Sequence, residues 1–276
     1  MNLWGGRFSQ SPAQSMRDLS RSVHFDWRLA PYEIEVNLVH LSNLIKQKIV
    51  SKSDGEILQK GLLDLAGEIG SGKFTYNHDD EDVHSAIERG LVEKCGPLGG
   101  AIRAGRSRND LVITDFKLYL VDHLLEIASA VTSLARSFNT QATNQIDVIA
   151  PGFTHTQHAQ PITFGQELSK HSHALLRDVD RIFDWIDRNN YSPFGAGALA
   201  GSSIQPEPEN TAAKLGFSGV MENSIDAVSD RDFAAEALFI MAMIGIHLSK
   251  IGEEFVLWSS TEFDWVEIDD AYATGS

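Results

Sequence analysis

DLVITDFKLYLVDHLLEIASAVTSLARSFNTQA, residues 110–142, is the stretch whose reading decides the fold. Ile113, Phe116, Leu120, Leu124, Ile127, Val131, Leu134 and Phe138 follow one another in steps of three and four. That spacing puts apolar side chains on one face of an α-helix. At 1.5 Å per residue the helix is a rod of roughly 45–50 Å, a length suited to a bundle of long helices. Working outward, a second long helix is expected after Pro161, with Leu168, Leu175, Val179, Ile182 and Ile186 on one side. A third opens at Ser229-Asp230-Arg231-Asp232, a capping-box pattern, and runs to about Trp258. Upstream, Ile34, Leu38, Leu41, Ile45 and Ile49 make one helical face, and Ile57, Leu58, Leu62, Leu65 and Ile69 another. Proline and glycine clusters punctuate the chain at 70–73, 96–100, 151–152, 193–201 and 205–209.

No stretch alternates convincingly with period two, and no internal repeat or low-complexity segment is present. The expected architecture is mainly α. An N-terminal helical domain covers residues 1–104, and a central long-helix bundle domain covers 105–276 and is incomplete. The most apolar run, Ala237 to Ile246, lies between Glu236 and the polar His247 and Lys250. It is too short to span a bilayer and fits a helix buried on all sides. A homo-oligomer whose central helices pack together would cover it, as would further chain on a monomer.

The charge balance narrows the partners. Thirty-eight acidic against 23 basic side chains give a formal net charge of −15. Nucleic acid or an anionic membrane would need a basic face, so neither is an expected partner. A small anionic substrate needs only a local positive pocket and stays open. Hydrophobic residues make up 42% and charged residues 22%, the proportions of a soluble globular protein. Cys95 is the single cysteine, so no intrachain disulfide can form, which fits a reducing compartment and a passive thiol. The first residues, Met1-Asn2-Leu3-Trp4-Gly5-Gly6-Arg7, lack the basic and apolar regions of a signal peptide, and the expected location is cytoplasmic.

Three segments concentrate chemistry. Arg103-Ala104-Gly105-Arg106-Ser107-Arg108-Asn109-Asp110 gathers arginines where the longest helix begins. Free N–H groups and the positive end of the helix dipole point the same way there. The segment suits a carboxylate or phosphate; an N-cap with solvated charges is the competing reading. Gly152-Phe153-Thr154-His155-Thr156-Gln157-His158-Ala159-Gln160-Pro161 is a polar knot between two long helices. His155 and His158 have the spacing of metal ligands on a helix, but no third ligand is evident. A proton-transfer or substrate-polarising histidine fits better, beside the alternative of structural loop histidines. His171 and His173 fall mid-helix and read as structural. Asp79-Asp80-Glu81-Asp82-Val83-His84 lacks the glycine and spacing of a calcium loop and reads as an acidic turn opening a helix. Asp82 and His84 there could order a cationic group. Phosphate-cradling, dinucleotide-binding and nucleophile-elbow motifs are absent.

These segments together resemble the argininosuccinate lyases of the fumarase/aspartase superfamily. The resemblance is carried, in order, by Leu3-Trp4-Gly5-Gly6-Arg7-Phe8, Glu81-Asp82-Val83-His84, Gly105 to Asp110, Thr154 to Pro161, Leu199-Ala200-Gly201-Ser202 and Asn223 to Phe233. Asp270-Ala271-Tyr272-Ala273-Thr274-Gly275-Ser276 resembles the lead into the superfamily's signature loop. The resemblance implies reversible cleavage of argininosuccinate to arginine and fumarate by β-elimination, without cofactor or metal. It implies His155 and Ser276 as the proton-transfer pair, in either order. Ser22, Asp26, Asn109 and Thr154 match substrate-contacting positions, with Asp82, Arg108 and Gln157 as further candidates. It also implies a homotetramer whose sites are shared between subunits. The chain departs from the family's Gly-Ser-x-Ala-His run at Val36-Asn37-Leu38-Val39-His40, where packing rather than chemistry is affected. A chain ending at Ser276 is expected to be inactive, since a terminus cannot hold a base in place. Competing readings are another lyase of the superfamily, a non-catalytic structural homologue like the lens crystallins, and a metal-dependent hydrolase.

Overall fold

The computed structural model describes residues 13–204 and 207–274. In chain order the helices are α1 (Gln14–Ser20), α2 (Val23–Asp26), α3 (Ala30–Lys46), α4 (Lys52–Gly70), α5 (Val83–Cys95), α6 (Arg108–Asn144), α7 (Phe164–Asn189), α8 (Pro208–Lys214), α9 (Ser224–Ser229) and α10 (Asp232–Trp258). Short 3-10 turns occupy Trp27–Leu29 and Gly96–Arg103. Strands β1 (Ile149–Thr154) and β2 (Gln157–Thr163) form an antiparallel hairpin, and β3 (Tyr191–Ser192) and β4 (Gly219–Val220) a short parallel pair. The long-helix expectation holds closely: α6 has 37 residues, about 55 Å. Its stripe is buried at Ile113, Leu124, Val131 and Phe138.

The chain divides into two compact units, Met1–Tyr119 with Asn190–Asp230, and Leu120–Asn189 with Arg231–Ser276. This differs from the division at residue 104 drawn from the sequence. Residues 190–230 return to the first unit because Phe194, Ala212, Leu215 and Phe217 fill a core with Val36 and Leu111. The larger core of that unit joins α3, α4 and α5 through Leu41, Leu44, Leu58, Leu62, Leu65, Ile87 and Leu91. Val36, at the departure from the family pattern, is thereby a core residue. Helix α4 begins at Ser51, whose hydroxyl accepts the Asp54 N–H at 3.1 Å and satisfies one free donor of the first turn. Two members of the expected faces lie outside these cores: Ile49 follows the end of α3 and is exposed, and Ile57 faces solvent.

In the second unit α7 packs on α10. Leu175, Val179 and Ile182 are buried on α7, and Ala237, Ile240 and Ile244 on α10. Buried Trp185 keeps its indole satisfied by donating to the Phe233 carbonyl at 2.8 Å. Asp178 is wholly buried and held by His247 at 2.5 Å and Arg181 at 2.8 Å. His171 is also buried and meets Glu254 at 2.8 Å, so it is an interhelical contact.

Three expectations are corrected. The capping box at Ser229 does not start α10: the N-cap is Arg231, and the Ser229 hydroxyl donates to the Ile225 carbonyl at 2.8 Å within α9. Helix α10 is not buried on all sides, because Leu238, Phe239, Ile246 and Val256 are exposed while Ile240 and Ile244 are not. The ten-residue run also sits inside a 27-residue helix that by length and composition alone could cross a bilayer. Finally, residues 149–163 form a hairpin that no period-two pattern announced.

The adjacent leucines of α4 test the packing directly. Leu62 is fully buried and Leu63 is 53% exposed. In urea denaturation, Leu62→Ala should cost about 2–5 kcal/mol through its cavity. Leu63→Ala should stay within about 0.5 kcal/mol of the parent.

Candidate functional site

The candidate residues fall into two groups, one in each unit. In the first, Ser22 is the N-cap of α2 and its hydroxyl donates to Asp26 Oδ2 at 2.6 Å, one helical turn on. The other oxygen of Asp26 accepts the Val83 N–H at 3.0 Å. Asp82 is the N-cap of α5: it accepts the Ser85 N–H at 2.7 Å while the Ser85 hydroxyl receives the Asp82 N–H at 3.0 Å. That reciprocal box satisfies two otherwise free donors. The second oxygen of Asp82 meets Arg108 Nη1 at 2.6 Å, and Glu81 lies 3.9 Å from the same nitrogen. Arg108 opens α6, and its neighbour Asn109 is exposed, with Nδ2 donating to the Ala198 carbonyl at 3.0 Å. Ser22, Asp26, Asp82 and Arg108 thus belong to one hydrogen-bonded chain across the starts of α2, α5 and α6. Asp80, in the same acidic run, accepts both Nε and Nη2 of Arg89 at 3.0 and 2.8 Å.

Gly105 allows the approach to α6. Its φ is +74°, and a β-carbon there would lie 2.7 Å from Ile204 Cβ, so only glycine fits without strain. Asp110 then locks the first turn in place. It accepts the N–H groups of Ser107, Gly195 and Gly197 at 3.0, 3.0 and 2.9 Å. Burial raises its pKa, and those three donors pull it back. Burial likewise raises Asp26, against the lowering effect of the Ser22 hydroxyl.

The second group is carried by the hairpin. Thr154 pairs with Gln157, leaving His155 and Thr156 as a two-residue turn with φ of +52° and +60°. Both central residues at positive φ is the type I′ shape, which Asn-Gly usually fills. Here a histidine and a β-branched residue hold it. Thr154, His155 and Gln157 are all exposed at the tip. A register shift between Pro151 and Phe153 bulges the hairpin. Phe153 anchors it, with ring centroids 5.5 Å from Phe263 and 6.0 Å from Trp265. Ser276 lies outside the described residues.

Sequence reasoning passed over Glu33 and Asp115. Both are wholly buried and flank His84, whose Nδ1 is 2.6 Å from Glu33 and 3.9 Å from Asp115. Burial pulls the His84 pKa down, but Glu33, Asp115 and Asp82 outweigh it and leave it at about 9. Nearby His40, whose Nε2 is 3.0 Å from the Ala104 carbonyl, goes the other way. Burial, reinforced by Arg106, pushes it down to about 3. Arg106 itself donates to Asn37 Oδ1, so the residue that departs from the family pattern holds a guanidinium. The available signal was an acidic residue on the same helix stripe as Ala30, Ile34 and Leu41, which places Glu33 on a core face.

Comparisons with known proteins agree on the class. An EDDS lyase variant with bound fumarate matches at TM-score 0.81 and 29% identity, over 97% of this chain and 54% of its own. A class II fumarase from Schistosoma mansoni shares the fold at TM-score 0.74 and 17% identity, over 85% and 58%. The fold is that of a helical lyase of the fumarase/aspartase type. A family model described as Lyase matches residues 6–276, and the chain belongs to that family. The argininosuccinate lyase of Frankia casuarinae is 51% identical over all of this chain and 60% of that protein. The chain spans about 60% of the length of the curated relatives it matches.

The two histidines give stability a pH optimum. His84 binds its proton with pKa about 9 in the fold against 6.5 ordinarily. Its contribution is therefore complete below pH 6.5 and is lost as pH rises to about 9. His40 is neutral in the fold, so protonation of the unfolded chain lowers stability as pH falls below 6.5. Denaturation midpoints measured across pH should decline on both sides, and His84→Gln should flatten the alkaline decline.

Proposed function

We propose that the protein to which this chain belongs cleaves argininosuccinate reversibly to arginine and fumarate, a step of arginine biosynthesis. The carrying observation is 51% identity along the whole chain to an argininosuccinate lyase. The network joining Ser22, Asp26, Asp82 and Arg108 suits such a substrate. It sets carboxylates where a guanidinium can bind and a guanidinium where a carboxylate can bind.

The reaction is a β-elimination. A base removes a proton from the carbon beside a carboxylate, the carbon–nitrogen bond breaks, a double bond forms, and the leaving guanidino nitrogen takes up a proton. The C–H is a weak acid, so the adjacent carboxylate must accept a second negative charge in the transition state. Asn109 and Thr154 are the donors assigned to the substrate carboxylates, with Gln157 as a further candidate. His155 and Ser276 carry the two protons, one as base and one as acid. Acid–base chemistry suffices, so the proposal includes no cofactor and no metal.

The exposed apolar side of α10, with Leu238, Phe239, Ile246 and Val256, supports a homotetramer whose sites draw on several subunits. Nucleic acid and membrane are outside the proposal, and the proposed location is cytoplasmic. Purified protein of the relatives' full length should release fumarate, read as rising ultraviolet absorbance, from argininosuccinate and not from adenylosuccinate or malate. His155→Asn should slow it by about 10²-fold or more. The 276-residue chain alone should release none, since it spans about 60% of its relatives. An inactive full-length protein would overturn the reading.

A further inference from the structure

The proposed chemistry leaves a buried charge cluster beside the site unused. Glu33 from α3 and Asp115 from α6 are fully buried and converge on His84 of α5. Among the described residues, Glu33 Oε1 and both oxygens of Asp115 have no hydrogen-bond partner. Two carboxylates removed from water need compensating positive charge. The charged groups that act on the ring from the packed elements are Glu33, Asp115, Asp82 at the start of its own helix, and Asp26 from α2. Arg106, ahead of α6, acts on the same two carboxylates. Burial and the neighbouring Glu33 push the Asp115 pKa well above its ordinary value, and His84 and Arg106 oppose that rise, so a protonated His84 is what favours two charged carboxylates beside Arg106.

The pairing has a mechanical consequence. The peptide N–H immediately before His84 belongs to Val83 and holds Asp26; the residue before that, Asp82, holds Arg108. A ring hydrogen-bonded to Glu33 of α3 and facing the Asp115 carboxylate of α6 steadies the first turn of α5, and with it the placement of both carboxylates.

We propose that His84 is a positioning residue: held as an imidazolium between Glu33 and Asp115, it anchors the start of α5 and so sets Asp26 and Asp82 toward the substrate. The inference rests on reading Asp26, Asp82 and Arg108 as substrate-binding residues. The same three ligand atoms of Glu33, His84 and Asp115 lie within 4.8 Å of one another, a spacing a metal ion could occupy. A dication held by a neutral His84 would leave one positive charge in excess beside Arg106, which the two carboxylates do not require.

The test is nuclear magnetic resonance on the labelled 276-residue chain, following the His84 ring nitrogens and the Asp26 carboxyl carbon through a pH titration. Both ring nitrogens should stay protonated until pH approaches about 9. In His84→Gln the Asp26 midpoint should rise, as the neighbouring positive charge and the aligned Val83 N–H are lost. Adding Asp115→Asn to His84→Gln should recover much of the lost thermal stability, since one buried anion is then gone. If His84→Gln does not fold, Asp115→Asn alone keeps the ring, and its His84 midpoint should drop toward 6.5. A neutral His84 ring near pH 7, an unmoved Asp26 midpoint in folded His84→Gln, an unmoved His84 midpoint in Asp115→Asn, or stoichiometric zinc or manganese bound to the ring would overturn the inference. No readout depends on turnover, so its failure leaves the assigned reaction standing, and a protein releasing no fumarate leaves these titrations interpretable.

Discussion

The first turn of α6 is held by a single carboxylate, and the candidate site in the first unit depends on it. Asp110 takes three backbone N–H groups, one from its own turn and two from the 195–197 loop. A buried carboxylate with three donors is stable only if the loop and the helix keep their places together. Arg108 therefore emerges at a defined point and can reach Asp82, which in turn caps α5. The positive start of one long helix and the acidic start of a shorter one are joined by an ion pair, and Asp26 is tied in through the next peptide of α5.

Charge is handled differently at neighbouring points of this unit. His40 is kept neutral by burial and by Arg106, whereas His84 is kept charged by two carboxylates. Identical imidazoles in one unit thus take opposite states. The partner groups decide, because desolvation alone would push both toward the neutral form. In the second unit histidines also meet carboxylates between helices, His247 with Asp178 and His171 with Glu254, and burial there lowers the His171 pKa despite its partner. There the polar pairs sit within the apolar contact of α7 and α10, and they fix its register.

The hairpin and α10 show why parts of the fold escape a sequence reading. Period-two alternation appears only when one strand face is buried, and in β1 and β2 only Ala150 is buried. Pro151 lies opposite Pro161 within the ladder, and the hairpin turn is made by residues not favoured there. Helix α10 gave the opposite difficulty. Its apolar run marks burial, yet this chain buries only one side of it. Hydrophobicity records that a face will be covered, and not by what.

Local periodicity was enough for the long helices. The three-and-four spacing placed α6 to within two residues at each end, and the end of α10 at Trp258. Ser22, Asp26 and Asp82 were reached through the family resemblance, and only the structure showed Ser22 bonded to Asp26 and Asp82 capping α5 with Ser85. What needed the tertiary structure was long-range: Glu33 meeting His84 and Asp115, Asp82 meeting Arg108, and residues 190–230 returning to the first unit. A helical stripe tells which side chains turn inward. An isolated acid on such a stripe looks like any other polar residue until packing shows that water has been removed from it and a partner supplied. The sequence alone thus determined the helices and their faces, and only the packed chain decided which buried charges meet, because pairing depends on distances that no local pattern encodes.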